Sequence, residues 1–444
     1  MVQKMQIFIG LGSNAGDRRR NLRMAIKRLQ EQDFRPEQFS PVVETPAGLS
    51  VADMDEWNLP YLNLVLRGTD TVDSRDPEGL LRCIKLIEQE INDGDGPQPA
   101  PCSIRIHLLL HGNTRCRTHE LVLPHPGLIT QPYLLAPLVA IAPRLVVPDL
   151  GPGMVLDWAR KLPHQPPLWM GIVNVTPDSF SDGGAYFSPN KVMGQVESLV
   201  DAGAQIVDIG AESTRPGASP LSPSKEWARL EPVLPQLLDH YRRDPLRPRF
   251  SLDTYHPEVA QRGLELGIDI INDVSGLSTP GMVDLARSSK ADFVAMHHLS
   301  VPASKSERLP RDCDPVEVVE SWLLRKLEAW DRSGLNLQRI LFDPGVGFGK
   351  TALQSLALIQ HAGRFRRHGL RVLVGHSRKS FMRGLSSQSI AGRDRATLGA
   401  SLHLCTQGID VIRVHDVGLH AETYRAWMHF QGGGAAQSDM PAPV

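Results

Sequence analysis

The chain has 444 residues, enough for two or three domains of ordinary size. Lysine plus arginine number 48 against 49 aspartate plus glutamate, and the net charge of −1 gives no pull toward nucleic acid or an anionic membrane surface. Apolar residues make up 41%, sufficient for a sizeable core, yet no window reads as a membrane-spanning helix.

The opening Met1-Val2-Gln3-Lys4-Met5-Gln6-Ile7-Phe8-Ile9 runs directly into a strand pattern, with no apolar segment before a small-residue cleavage site. A cytoplasmic protein is therefore expected. The cysteines Cys83, Cys102, Cys116, Cys313 and Cys405 fit neither a zinc site nor a disulfide framework, so reduced thiols are expected. Gln6 to Leu11 reads as a strand, Asp17 to Gln32 as a helix with Asp17 as N-cap, Tyr61 to Leu66 as a second strand, Pro77 to Ile91 as a second helix and Ile104 to Leu110 as a third strand. This is a smaller α+β domain of the ferredoxin-like kind, residues 1–163, ended by a Pro-rich linker at 164–167.

From 168 to 430 short apolar runs alternate with amphipathic stretches such as Lys191 to Ala202 and Pro315 to Ser333. The runs are Leu168 to Val175, Ile206 to Ile209, Phe250 to Leu252, Ile268 to Ile271, Phe293 to Met296, Ile340 to Phe342, Val372 to Val374 and Val411 to Val414. About eight apolar strands separated by helices predict an α/β fold, a closed (β/α)8 TIM barrel; a doubly wound open sheet fits the count less well. Residues 431–444 are small, polar and Pro/Gly-rich, and read as a disordered tail.

Functional residues of such barrels lie at the C-terminal ends of strands. Here those ends carry Asn174, Asp208 with Glu212, Asp253, Asn272-Asp273, His297-His298, Asp343, Ser377-Arg378-Lys379 and Arg413-Val414-His415. One such residue is explained by helix capping; a polar residue at every strand end is not. Asp253, Asn272, Asp343 and Lys379 supply carboxylates, an amide and a cation, the mixture that a flat heterocycle with an amino-pyrimidinone edge needs. Asn174, Arg413 and His415 suit a phosphorylated leaving group and its metal. Gly349-Lys350-Thr351 matches the end of a nucleotide-binding loop, but that loop's first glycine would fall at Pro344, so the stretch reads as a tight turn after Asp343.

The loop Asn174-Val175-Thr176-Pro177-Asp178-Ser179-Phe180-Ser181-Asp182-Gly183-Gly184, the block Glu212-Ser213-Thr214-Arg215-Pro216-Gly217, Asp343-Pro344-Gly345-Val346-Gly347-Phe348-Gly349-Lys350 and Ser377-Arg378-Lys379 together resemble dihydropteroate synthase. The resemblance implies condensation of a pterin diphosphate with 4-aminobenzoate in folate biosynthesis, with Mg2+ at Asn174. It implies pterin against Asp253, Asn272, Asp343 and Lys379, and diphosphate near Thr214, Arg215, Arg413 and His415. In the reaction it implies, the pterin CH2–O bond breaks before the amine attacks, so a cationic methylene must be stabilised and water kept away. Asp182, with Asn174 and Lys379, is the catalytic candidate. Phe180, Thr214, Pro216 and Ser380 are candidates for the aminobenzoate subsite, with ordinary loop packing as the alternative for Phe180. The resemblance also carries sulfonamide competition and a homodimer through the barrel. Pterin-binding methyltransferases share this barrel, but the Ser-Thr-Arg-Pro-Gly and Ser-Arg-Lys blocks favour the synthase.

Gly10-Leu11-Gly12-Ser13-Asn14 with Asn21-Leu22, Glu44-Thr45-Pro46, Tyr61-Leu62-Asn63 and Leu123-Pro124-His125-Pro126 resemble 6-hydroxymethyl-7,8-dihydropterin pyrophosphokinase. The family's paired metal-binding aspartates align with Arg105 and His107, and its phosphate-binding arginines with Cys102, Gly127 and Gln131. Its Gly-Arg-x-Arg stretch is Asn92-Asp93-Gly94-Asp95 here. Pterin-side positions Thr45, Asn63 and Tyr133 survive. Hard Mg2+ wants oxygen ligands, so the domain is expected to lack kinase activity. A bifunctional enzyme with unusual metal ligation, and a structural or pterin-binding module, are the alternatives.

Overall fold

The computed structural model describes residues 5–46, 60–71, 76–92, 102–147, 150–162, 165–176, 189–212, 220–301, 307–386 and 389–431. The chain divides into two compact units, one of Met1–Pro166 with Thr423–Val444, the other of Pro167–Glu422.

The first unit runs β1 (Ile7–Ser13), α1 (Arg18–Glu31), β2 (Phe34–Phe39), β3 (Val43–Thr45), β4 (Tyr61–Asp70), α2 (Pro77–Asn92), β5 (Arg105–His111), a small hairpin of β6 (Cys116–Arg117) and β7 (Val122–Leu123), α3 (Pro132–Ile141) and α4 (Val155–Ala159). The sheet order is β2-β4-β1-β5, with β3 also on β4, and every pairing is antiparallel. This is the split βαβ arrangement of a ferredoxin-like sheet. The Asp17 carboxylate caps α1 by accepting from the Arg20 amide, and Leu22, Ala25, Ile26 and Leu29 form its buried stripe. All seven residues of β1 are buried. Part of that cover comes from α3 and α4, whose Leu135, Leu138 and Trp158 share a core with Phe8 and Val65.

The second unit runs β8 (Leu168–Asn174), α5 (Pro189–Asp201), β9 (Ile206–Gly210), α6 (Pro223–Leu230), α7 (Leu234–Tyr241), β10 (Arg249–Asp253), α8 (Pro257–Leu266), β11 (Ile270–Asp273), α9 (Pro280–Ser288), β12 (Asp292–Met296), α10 (Pro315–Arg332), β13 (Ile340–Asp343), α11 (Ala352–Gln360), β14 (Arg371–Gly375), α12 (Ile390–Thr406) and β15 (Val411–Val414), and α13 (Val417–Phe430) then begins in it. The eight strands form a closed barrel, each paired parallel with its neighbours and β15 closing on β8. Helix starts repeat one chemistry: Ser222, Thr279 and Asp314 cap α6, α9 and α10 through their side chains, with proline in the first turn. No helix among the described residues is long and apolar enough to cross a membrane.

The strands run one or two residues past several of the apolar runs. Asp253, Asn272-Asp273 and Asp343 are strand residues rather than loop residues. Parallel pairing continues through them, as in Asp253 opposite Asn272, where an apolar pattern alone stops.

Candidate functional site

The polar residues at the barrel mouth form a connected charge network. Arg413, on β15, donates from Nε to Asp208 Oδ2 at 2.6 Å and from Nη2 to Asp253 Oδ2 at 3.0 Å. Asn272 donates from Nδ2 to the same Asp208 oxygen at 3.1 Å. Asp208 has no exposed surface. Asn272 and Arg413, on two different strands, thus converge on the buried Asp208 carboxylate, and Arg413 bridges it to Asp253 on a third.

Asp343 and Lys379 approach the same network. Asp343 Oδ1 accepts from the Gly345 amide at 2.7 Å, which fixes the start of the glycine turn. Lys379 donates to the Val346 carbonyl, and its ammonium sits 4.7 Å from the centre of the Phe348 ring. The turn needs its glycines: Gly345 and Gly347 have φ of 66° and 83°. A Cβ at Gly345 would lie 1.9 Å from the His297 carbonyl, and one at Gly347 would lie 3.0 Å from Lys379 Cδ. Arg378 reaches a left-handed φ of 56° and is held there by a two-point ion pair with Asp394 at 2.6 and 3.0 Å. That strained residue delivers Lys379 to the mouth.

Burial sets the acid–base character. It raises the Asp253 carboxyl, and the nearby Asp208 raises it further against the pull of Arg413. Burial also raises Asp343, opposed by Lys379. Burial lowers the Lys379 ammonium to about 8, opposed by Asp343. The mouth therefore holds carboxylates that ionise reluctantly and a lysine that loses its proton early, a common signature of a binding or catalytic site.

Two expected groups merge here. The sequence separates Arg413, as a diphosphate ligand, from the heterocycle-binding carboxylates, whereas Arg413 is tied to Asp208 and Asp253. Asn174 closes β8, half-buried, opposite Gly210. His415 lies just beyond β15, its Nδ1 2.9 Å from Ser377 Oγ. Ser380 is exposed and opens a five-residue 3-10 turn, Ser380–Gly384. Phe180, Asp182, Thr214, Arg215 and Pro216 lie outside the described residues. Asp208 was given no role from sequence; a carboxylate inside the apolar run Ile206-Val207-Asp208-Ile209 was the available signal.

Lys350 resolves the resemblance to a nucleotide loop. Its ammonium is buried, bonded to His297 Nδ1 at 2.8 Å, the His297 carbonyl at 3.1 Å and the Gly345 carbonyl at 2.9 Å. It locks the turn from below and does not face a phosphate. Burial and the Lys350 charge push His297 down to about 2, so the neutral ring accepts the lysine proton at Nδ1.

In the first unit a cleft is lined by Leu11, Gly12, Tyr61, Asn63, Arg105, His107, Tyr133 and Leu134. It brings Asn63 and Tyr133 together with Arg105 and His107. Asn63 donates to Thr45 Oγ1 at 2.9 Å. Arg105 Nε donates to Cys102 Sγ at 3.1 Å. The rings of His107 and His125 meet edge-on at 5.2 Å. The sequence leaves room for a protonated His107, and the fold corrects this: burial, then His125, lowers it to about 3, so the ring is neutral.

A closed barrel with this mouth and an antiparallel α+β domain describe a pterin enzyme in two parts. Residues 170–415 match the family model described as pterin binding enzyme, and residues 8–143 the model for 7,8-dihydro-6-hydroxymethylpterin-pyrophosphokinase. A folate synthesis bifunctional protein of Chlamydia caviae is 34% identical over 93% of this chain and 95% of its own length. The dihydropteroate synthase of Xanthomonas albilineans, solved with 4-aminobenzoic acid, is 34% identical with a TM-score of 0.54, covering 60% of this chain and 93% of that one. That of Anaplasma phagocytophilum, solved with 6-hydroxymethylpterin-monophosphate, is 35% identical with a TM-score of 0.54, covering 60% of this chain and 98% of that one. The chain belongs to the folate synthesis bifunctional protein family, with a dihydropteroate synthase domain and a pyrophosphokinase-type domain.

Proposed function

We propose that the barrel condenses 6-hydroxymethyl-7,8-dihydropterin diphosphate with 4-aminobenzoate to give 7,8-dihydropteroate and diphosphate. The carrying observation is the convergence of Asp253, Asn272, Asp208 and Arg413, with Asp343 and Lys379 beside them. Asp253 and Asp343 accept from ring N–H groups, while Asn272 and Lys379 serve ring nitrogen and oxygen. Binding N–H groups compensates carboxylates that burial otherwise disfavours. The pterin CH2–O bond breaks with its electrons going to diphosphate, the amine nitrogen bonds to the methylene, and the amine proton leaves. Arg413, which keeps donors beyond the two engaged by Asp208 and Asp253, faces the departing charge with His415. Asp182 stabilises the cationic methylene, and Phe180, Thr214, Pro216 and Ser380 shape the aminobenzoate subsite, with Thr214 and Arg215 toward the diphosphate.

The Asn174 amide oxygen fits Mg2+, which takes one or two protein oxygens and fills its shell with water and phosphate. Bound there, Mg2+ would neutralise charge on the leaving group. A cytoplasmic homodimer through the barrel accompanies this reading. Formation of dihydropteroate from the two substrates with Mg2+ tests it, and absence of product overturns it.

The first domain is proposed to lack pyrophosphokinase activity. Its cleft does not fit Mg2+: the lining residues include one cation, Arg105, the neutral rings of Tyr61, His107 and Tyr133, and no carboxylate. Phosphoryl transfer depends on metals and cations held against ATP, and the arginine positions are Cys102, Gly127 and Gln131 here. The relatives named bifunctional over their full length favour the opposite reading, in which both activities survive. Pyrophosphoryl transfer from ATP by the whole protein separates the two.

A further inference from the structure

Three ionisable side chains that the barrel chemistry does not use meet just past the end of β9. Glu212 follows the strand, Glu226 lies in the first turn of α6, and His256 is the N-cap residue of α8. Each offers one ligand atom, and these atoms all lie within 4.8 Å of one another. Glu226 is 1% exposed and Glu212 8%.

Each carboxylate has one oxygen held and one left over. Glu212 Oε1 accepts from the Tyr255 hydroxyl at 2.8 Å and the Leu221 amide at 3.2 Å. Glu226 Oε2 meets His256 Nδ1 at 2.6 Å. Glu212 Oε2 and Glu226 Oε1 are buried without a hydrogen-bond partner among the described residues. A buried carboxylate oxygen in that state is costly. Burial pushes the Glu226 carboxyl up and the nearby Glu212 adds to this, and the hydrogen bonds from His256 and Thr254 oppose it only in part. The neighbouring groups do not correct this. Tyr255 is neutral, kept protonated by burial and by Glu212. Asp253 brings no positive charge, and the Arg413 cation is already paired with Asp208 and Asp253. The Arg229 guanidinium bonds the Ala211 carbonyl at 2.7 Å.

We propose that Glu212, Glu226 and His256 form a binding site for a divalent transition-metal ion of the Zn2+ class, tying the exit of β9 to the starts of α6 and α8. One imidazole nitrogen with two carboxylate oxygens suits Zn2+, Co2+ or Mn2+, whereas Mg2+ prefers an all-oxygen shell. Tyr255 and the Leu221 amide orient Glu212 from behind, as outer donors do in metal sites. Binding displaces the proton between His256 Nδ1 and Glu226, so uptake releases a proton.

The test is a titration of the chelator-treated full-length protein with Co2+ or Zn2+ in excess Mg2+, read by calorimetry and by the Co2+ visible spectrum. One equivalent per chain, proton release and a four- or five-coordinate Co2+ spectrum are expected. His256→Gln and Glu226→Gln should each weaken binding by more than about tenfold. His256→Lys, which places a fixed positive charge in the cluster, should abolish uptake while keeping the fold, and so serves if the glutamine variants misfold. No uptake by the unaltered protein, or unchanged stoichiometry and affinity in the His256 variants, would overturn the proposal.

Discussion

Arg413 Nε lies 2.6 Å from Asp208 Oδ2, a carboxylate with no exposed side-chain surface, while 21% of the Arg413 side chain is exposed. The buried acid holds in place a cation that reaches the barrel mouth, and the same oxygen holds Asn272. Asp208 is therefore a positioning residue. Asp208→Asn keeps the shape and removes the charge. It should raise KM for the pterin diphosphate about tenfold, ~1.4 kcal/mol, and leave KM for 4-aminobenzoate nearly unchanged. Steady-state kinetics with each substrate varied checks this split, which a general loss of folding would not produce.

Asp343→Asn should weaken pterin binding. The amide turns an acceptor-only edge into one that presents a donor, and the Gly345 amide, now bonded to Asp343 Oδ1 at 2.7 Å, loses a charged partner. A loss of about 1.5–3 kcal/mol is expected, the range for hydrogen bonds to charged groups. Calorimetry with a pterin reads it; unchanged affinity would remove Asp343 from the site.

The pH profile of kcat/KM follows from opposite shifts. Burial raises Asp253 and Asp343, so these groups gain the charge needed to accept N–H donors only above the usual aspartate range. Burial lowers Lys379 to about 8, so its cation is lost as pH rises through that value. Activity should fall on both sides, with the basic limb assigned to Lys379. Lys379→Arg, which stays charged, should remove the basic limb whatever its effect on the maximum.

At the strand starts, Asp292 lies 2.7 Å from Arg249 and 3.1 Å from Arg371, with 11% of its side chain exposed. Burial pushes its pKa up, but the two arginines outweigh it and hold the carboxyl below its ordinary value. The sign is that of a depressed acid: its stabilisation is present above the unfolded pKa and is lost as pH falls through the folded one. Asp292→Asn should cost about 3–5 kcal/mol at neutral pH by leaving buried arginines under-paired. Calorimetric melting should show the gap between variant and unaltered protein closing in acid.

The strands of the barrel were legible because parallel strands buried on both faces read as apolar runs. Helix starts were legible at Asp17, read as the N-cap of the first helix, and at Pro315, where the helix follows Asp314. The first unit was harder. β2, Phe34–Phe39, carries Pro36 and polar residues with a shift in register, and α3 is apolar all round with Pro137 inside, so neither has a clean period. Site residues at strand ends could be named singly. Their partnerships could not: Arg413 and Asp208 are 205 residues apart, and barrel closure brings them together. The glycine turn after Asp343 was legible from Pro344, which stands where a nucleotide loop would need glycine; Lys350 as its lock was not, because its partner His297 lies 53 residues away.

The most direct measurement compares two starting mixtures on the purified full-length protein with Mg2+, following 7,8-dihydropteroate by mass spectrometry. One holds 6-hydroxymethyl-7,8-dihydropterin diphosphate and 4-aminobenzoate; the other replaces the diphosphate with the unphosphorylated pterin and ATP. Dihydropteroate should form in the first and not in the second, because Arg105 and a neutral His107 stand where Mg2+ bound to ATP would need carboxylate ligands. Product in the second mixture would contradict the inactive first domain, and no product in the first would contradict the synthase itself.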